Sequence, residues 1–73
     1  HIAVGKVEDE YYITLDHPMD KSHHISFMCY VTSDEIHFKK LYPEQAAEAR
    51  FFSKGHGHIY VYCKRHGLFG KRI

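Results

Sequence analysis

Apolar and polar side chains alternate at every second position along most of this chain, and that rhythm permits little except β-structure. In "HHISFMCYVT" the alternation sets Ile25, Phe27, Cys29 and Val31 against His24, Ser26, Met28 and Tyr30. In "EIHFKKLY" it sets Ile36 and Phe38 against His37 and Lys39, with His37 expected on an outward face. "HIYVYC" places Ile59, Val61 and Cys63 opposite Tyr60 and Tyr62, and "EYYITLD" gathers Tyr11, Ile13 and Leu15 on one side. Such runs, rich in β-branched and aromatic residues, read as half-buried strands. Turn-forming residues separate them at Glu8-Asp9, His17-Pro18 through Ser22, Ser33-Asp34, Tyr42-Pro43 and Gly55-His56-Gly57. Only "PEQAAEARFF" invites a helix, with Pro43 at a first-turn position, and it predicts at most one turn before another strand. Six or seven short strands at this spacing predict an all-β chain, folded as a small sandwich or barrel.

Seventy-three residues make one domain, 1–73, and not two. A domain this small buries only about 60% of its unfolded surface, so it commonly recruits a disulfide, a metal or a second subunit. Two cysteines, Cys29 and Cys63, allow at most one bridge, whereas eight histidines far exceed what this length normally carries. The net charge of +1 offers no field for neutralising phosphates, so Lys64, Arg65, Lys71 and Arg72 read as a solvated end. The same near-neutrality counts against single-stranded nucleic acid on an aromatic sheet. No apolar run approaches the roughly 20 residues that span a bilayer, and none resembles a secretory signal, which points to the cytoplasm. The chain begins at His1 rather than Met, so it reads equally as a fragment, a processed form or a tagged product.

The histidines and Cys63 suggest what the domain recruits. In "YCKRHGLFG", Cys63 and His66 stand three positions apart at the end of a strand, and Gly67 lets the backbone turn tightly enough for both to face one ion. In "HPMDKSHH", His17 and His23 flank a loop that Pro18 pre-shapes. Only one of His23 and His24 can point at a shared centre, because strand neighbours face opposite ways. Each motif alone is weak. Together they supply three imidazoles and one thiolate from two turns, a donor set suited to iron, zinc or copper. His1, at the start of the first strand, is a fifth candidate, although it could equally be the remnant of a tag.

Blander roles suit the other residues. A Cys29–Cys63 bridge of the immunoglobulin kind is weighed against a free Cys29 acting as a small hydrophobe, and the absence of a core tryptophan favours the free thiol. His56 and His58 sit in a glycine turn and read as solvated, and His24 reads as exposed or supporting.

The pairing of "HPMDKSHHISF" with "YCKRHGLF" about forty residues later resembles the iron-binding domain of the desulfoferrodoxin and neelaredoxin family, the superoxide reductases. "KLYPEQAAEARF" is similar to that family's middle segment. The resemblance implies a seven-stranded immunoglobulin-like sandwich holding one mononuclear iron. It also implies His17, His23 and His66 as imidazole ligands, Cys63 as the axial thiolate, and His1 in "HIAV" as the remaining imidazole. The implied activity is one-electron reduction of superoxide to hydrogen peroxide, with an external donor such as rubredoxin and a homodimeric assembly. Two departures stand out: the sequence begins at His1, so the Glu-Lys pair that often precedes this histidine in the family falls outside it, and the usual tryptophans are absent, with Phe27 and Phe69 in comparable places. Two other readings stay open on the residues alone. A Cys-His₃ set satisfies structural zinc without catalysis, and similar domains follow helix-turn-helix modules, where nucleic acid is bound by the neighbouring module and the metal reports redox state.

Overall fold

The computed structural model describes all residues from His1 to Ile73. Seven strands form: β1 (Ile2–Val7), β2 (Glu10–Leu15), β3 (Ile25–Val31), β4 (Ile36–Lys40), β5 (Glu48–Phe52), β6 (His58–Cys63) and β7 (Gly67–Arg72). They pair antiparallel in two sheets, β1-β2-β5 and β4-β3-β6-β7, a two-layer sandwich, one of the two forms that the alternation allows and of the immunoglobulin-like kind that the family resemblance implies. No helix is present, and so none is long and apolar enough to cross a membrane.

Between the sheets lie thirteen buried residues, all apolar, including Ile13 from β2, Tyr30 from β3 and Ile59, Val61 and Cys63 from β6. Tyr30 is wholly buried, and its hydroxyl donates to the Gly55 carbonyl at 2.6 Å and accepts from the Lys54 amide at 3.1 Å. Its polar atom is thus satisfied inside an apolar layer. At Gly57 the backbone passes so close to Val31 that a Cβ would overlap its carbonyl oxygen.

Three expectations need correcting. The register of β3 against β6 slips between Ile25 and Phe27, so Ile25 points inward while Phe27, Cys29 and Val31 point out. Met28 and Tyr30 therefore take the core positions, because one extra residue exchanges the two faces of everything beyond it. The slip also separates Cys29 from Cys63: they lie on opposite faces of the sheet, and both are free thiols. On β4, Ile36 and Phe38 face solvent, 73% and 60% exposed, whereas His37 lies across from inward-pointing Tyr30 and stacks on its ring at 5.7 Å. The expected helical turn after Pro43 is also replaced. Glu44 adopts a left-handed φ of 67°, and Ala47 and Ala49 bury alternately as β5 begins.

Candidate metal centre

Strand order brings the two histidine-bearing turns together. The chain leaves β2 after Leu15, crosses between the sheets, and enters β3 at Ile25, which pairs directly with Cys63 at the end of β6. His23 precedes that pairing by two residues, so it arrives beside the thiol. The crossing loop is held firmly. Asp20 and His23 exchange backbone hydrogen bonds of 2.9 and 3.2 Å, Met19 packs on the core, and the Glu44 amide donates to the Met19 carbonyl at 2.6 Å. Across from it, Cys63 pairs with Gly67, whose φ of 85° closes the β6–β7 turn and carries His66 back over the sandwich end.

The outcome is a cluster of His17, His23, Cys63 and His66, whose donor atoms all lie within 4.8 Å of one another. Donors on opposite sides of one ion, at about 2.1 Å each, stand about 4.2 Å apart, so donors within 4.8 Å of one another close on a single metal with only sub-ångström shifts. The three imidazoles meet edge to face, with centroids 4.7 Å (His17–His23), 4.8 Å (His23–His66) and 5.2 Å (His17–His66) apart. His17 Nδ1 lies 2.7 Å from the Pro18 carbonyl, which can only accept, so the proton sits on Nδ1 and leaves Nε2 a free lone pair. That Nε2 faces His66 Nδ1 at 3.2 Å.

His23 Nε2 is buried without any hydrogen-bond partner. A buried polar atom left unpaired is costly, and coordination of a metal by its lone pair removes that cost. Burial pushes the His23 imidazole below the ordinary histidine range, and the Arg65 charge and the neighbouring rings of His17 and His66 push the same way against a smaller opposing pull from Asp20. The ring is held in the neutral form that metal ligation requires. Cys63 supplies a fully buried sulfur beneath the three rings. Lys64 and Arg65, between the two turn donors, are exposed and make no ion pair.

The other histidines stand apart from this cluster. His1 is exposed at the start of β1; Ile2 pairs with Leu15, so it lies at the same end of the sandwich, beside Phe69 and Lys71, but outside the four-donor group. His24 turns back to the Asp20 carbonyl at 3.1 Å, and His37 pairs with Glu35 at 2.7 Å. His58 stacks on Tyr60, while His56 is exposed. What the motifs alone do not reveal is the supporting layer, namely the Pro18 carbonyl, the Asp20–His23 bridge and the Met19 anchor.

Fold and site together define a small antiparallel β-sandwich carrying a three-histidine, one-cysteine donor set at one end. The family model for desulfoferrodoxin matches residues 4–72, and the chain belongs to the desulfoferrodoxin family. It is 32% identical over 68 residues to a desulfoferrodoxin of Clostridium acetobutylicum, covering 93% of this chain but 48% of that protein, so it spans about half the length of this curated relative. Among solved structures it is similar to the superoxide reductase of Treponema pallidum, with a TM-score of 0.83 at 25% identity, covering 96% of this chain and 61% of the other. The reduced superoxide reductase (neelaredoxin) of Archaeoglobus fulgidus shares the fold, with a TM-score of 0.59 at 18% identity over 100% of this chain and 85% of the other.

Proposed function

We propose that the chain holds one mononuclear iron and reduces superoxide to hydrogen peroxide. The observation that carries this reading is the convergence of four donor atoms from two separate turns to within 4.8 Å. Family membership supports iron over zinc. In this reading His17, His23 and His66 are imidazole ligands and Cys63 is the thiolate, with His1 as a further imidazole from the same end of the sandwich. Bound iron supplies the single electron, and the overall change is superoxide plus one electron and two protons giving hydrogen peroxide. The donor that restores the electron is an external one-electron carrier of the rubredoxin kind.

The chain's own residues set the conditions. The Pro18 carbonyl fixes the His17 tautomer so that its Nε2 faces the centre. The buried sulfur of Cys63 donates electron density from within the core, as thiolate ligation does in haem proteins. Lys64 and Arg65, unpaired on the turn beside the donors, draw a small anion toward the exposed side of the cluster.

The test combines metal analysis with pulse radiolysis after anaerobic, iron-replete expression. About one iron per chain, a visible thiolate-to-iron(III) band lost in Cys63→Ser, and fast second-order superoxide decay support the proposal. A colourless protein holding only zinc overturns it.

A further inference from the structure

Between the two histidines of the first turn lies Met19, one of the chain's two methionines, whose sulfur is not among the clustered donors. Met19 is half-buried and packs against the core, and its Sδ accepts the Ile25 amide at 3.4 Å. Ile25 pairs with Cys63, so the thioether stands next to the strand pair that ends in the thiol. The Met19 carbonyl accepts the Glu44 amide at 2.6 Å, and the bridge between Asp20 and His23 follows directly. Met19 is therefore the point at which the loop carrying His17 and His23 is fastened to the sandwich. Met28, by contrast, is wholly buried in the core.

We propose that Met19 is a site of reversible oxidation by hydrogen peroxide, and that its sulfoxide loosens the metal centre. On the activity proposed above, the oxidant is the reaction's own product, released beside this loop. The Met19 sulfur attacks one peroxide oxygen, an S–O bond forms and the O–O bond breaks. The other oxygen leaves as water with both hydrogens. The thioether is oxidised by two electrons and the peroxide is reduced by two, so no further reactant is needed. Competing sulfurs are poorer targets. Met28 exposes nothing to solvent, and burial pushes the half-exposed Cys29 thiol up, which keeps it in its protonated, weakly nucleophilic form.

The oxidised side chain does not fit where the thioether sits. An oxygen set between sulfur and the Ile25 nitrogen needs about 2.9 Å to that nitrogen in addition to the S–O bond, whereas the two atoms are now 3.4 Å apart. The sulfur must withdraw. An oxygen on the core-facing side is instead buried without a donor, because all thirteen core residues are apolar. Either way Met19 leaves its seat, and the loop moves His17 and His23 relative to Cys63 and His66. Loss of a contact that supports metal ligands typically costs about 10–100-fold in affinity. Accumulated peroxide thus weakens the centre that makes it.

Zinc exchanges no electrons with peroxide, so the zinc-loaded chain tests this apart from any iron chemistry. After treatment with excess hydrogen peroxide, peptide mass spectrometry is expected to find one added oxygen at Met19 before any at Met28. The zinc Kd, measured by competition with a chromophoric chelator, is expected to rise by about tenfold or more. Methionine sulfoxide reductases for both sulfoxide epimers are expected to restore it. Met19→Leu conserves volume and is expected to bind zinc like the untreated wild type, before and after peroxide. Met19→Gln sets a polar group at the same place and is expected to bind zinc about tenfold more weakly without any peroxide. Equal oxidation of Met19 and Met28, an unchanged Kd once Met19 is oxidised, or peroxide-induced loss of zinc from Met19→Leu as fast as from wild type overturns the proposal. A chain that responds as expected with zinc yet takes up no iron retains the Met19 site and overturns the iron reading instead.

Discussion

Removing the metal and replacing His23 with leucine should move stability in opposite directions, and the sign separates a ligand from a structural residue. A metal that binds only the native state stabilises it by about 2.7 kcal/mol when free metal exceeds its Kd a hundredfold. In a domain of this size each kcal/mol moves Tm by about 4–8 °C, so chelation should lower Tm by about 10–20 °C. The metal-free chain should still melt cooperatively, because its thirteen-residue core is contiguous, wholly apolar and independent of the four donors except through Cys63. In that metal-free state His23 Nε2 is stranded, and Arg65 and two other imidazoles crowd its ring. His23→Leu removes the unpaired nitrogen at similar volume, so it should raise the Tm of the metal-free chain while abolishing the rise on metal addition. Thermal melts by circular dichroism, with EDTA and with anaerobic iron(II), measure both. If His23→Leu lowers the metal-free Tm, or keeps the full metal-induced rise, the assignment of that nitrogen to a metal is wrong.

Further outcomes follow from the same structure. His23 holds its proton less tightly in the folded than in the unfolded chain, so the native state binds fewer protons. Stability of the metal-free protein should therefore fall as pH drops from about 6.5 toward the lower native value, and this slope should flatten in His23→Leu when melts are compared between pH 7 and 5. Tyr30→Phe removes the hydroxyl that serves both the Lys54 amide and the Gly55 carbonyl, and urea titration should show a loss of about 1–3 kcal/mol. Glu8 holds a left-handed φ of 54° in the β1–β2 turn, so Glu8→Gly should raise stability by about 1 kcal/mol in the same assay, because glycine adopts that conformation without strain. A loss instead would mean that the Glu8 side chain contributes more than its backbone costs.

Much of this architecture can be read from the chain before folding. Strict alternation in "EYYITLD" and "HIYVYC" marks β2 and β6 with their inward faces correct, because neither strand departs from period two. The candidate site is legible because its four donors fall in two short segments, each at a turn. The start of β3 is not legible. A single slipped residue at Ser26 sends Phe27 outward and Met28 inward, and the residue types do not record it, since aromatic and thioether side chains suit either face. Nor does alternation say which face of β4 meets the core: Ile36 and Phe38 look inward-facing by hydrophobicity, yet β4 is an edge strand whose inner side is occupied by His37 and Lys39. The stretch after Pro43 has helix-forming alanines, but burial of Ala47 and Ala49 between the sheets outweighs their propensity.

X-ray absorption at the metal edge of the iron-loaded chain tests the shared centre most directly. The account predicts one sulfur scatterer together with a shell of imidazole nitrogens, and loss of the sulfur shell in Cys63→Ser with the nitrogens retained. A first shell of light atoms alone in the wild-type chain would contradict it, because the buried thiol and the three rings would then not be bound to the same ion.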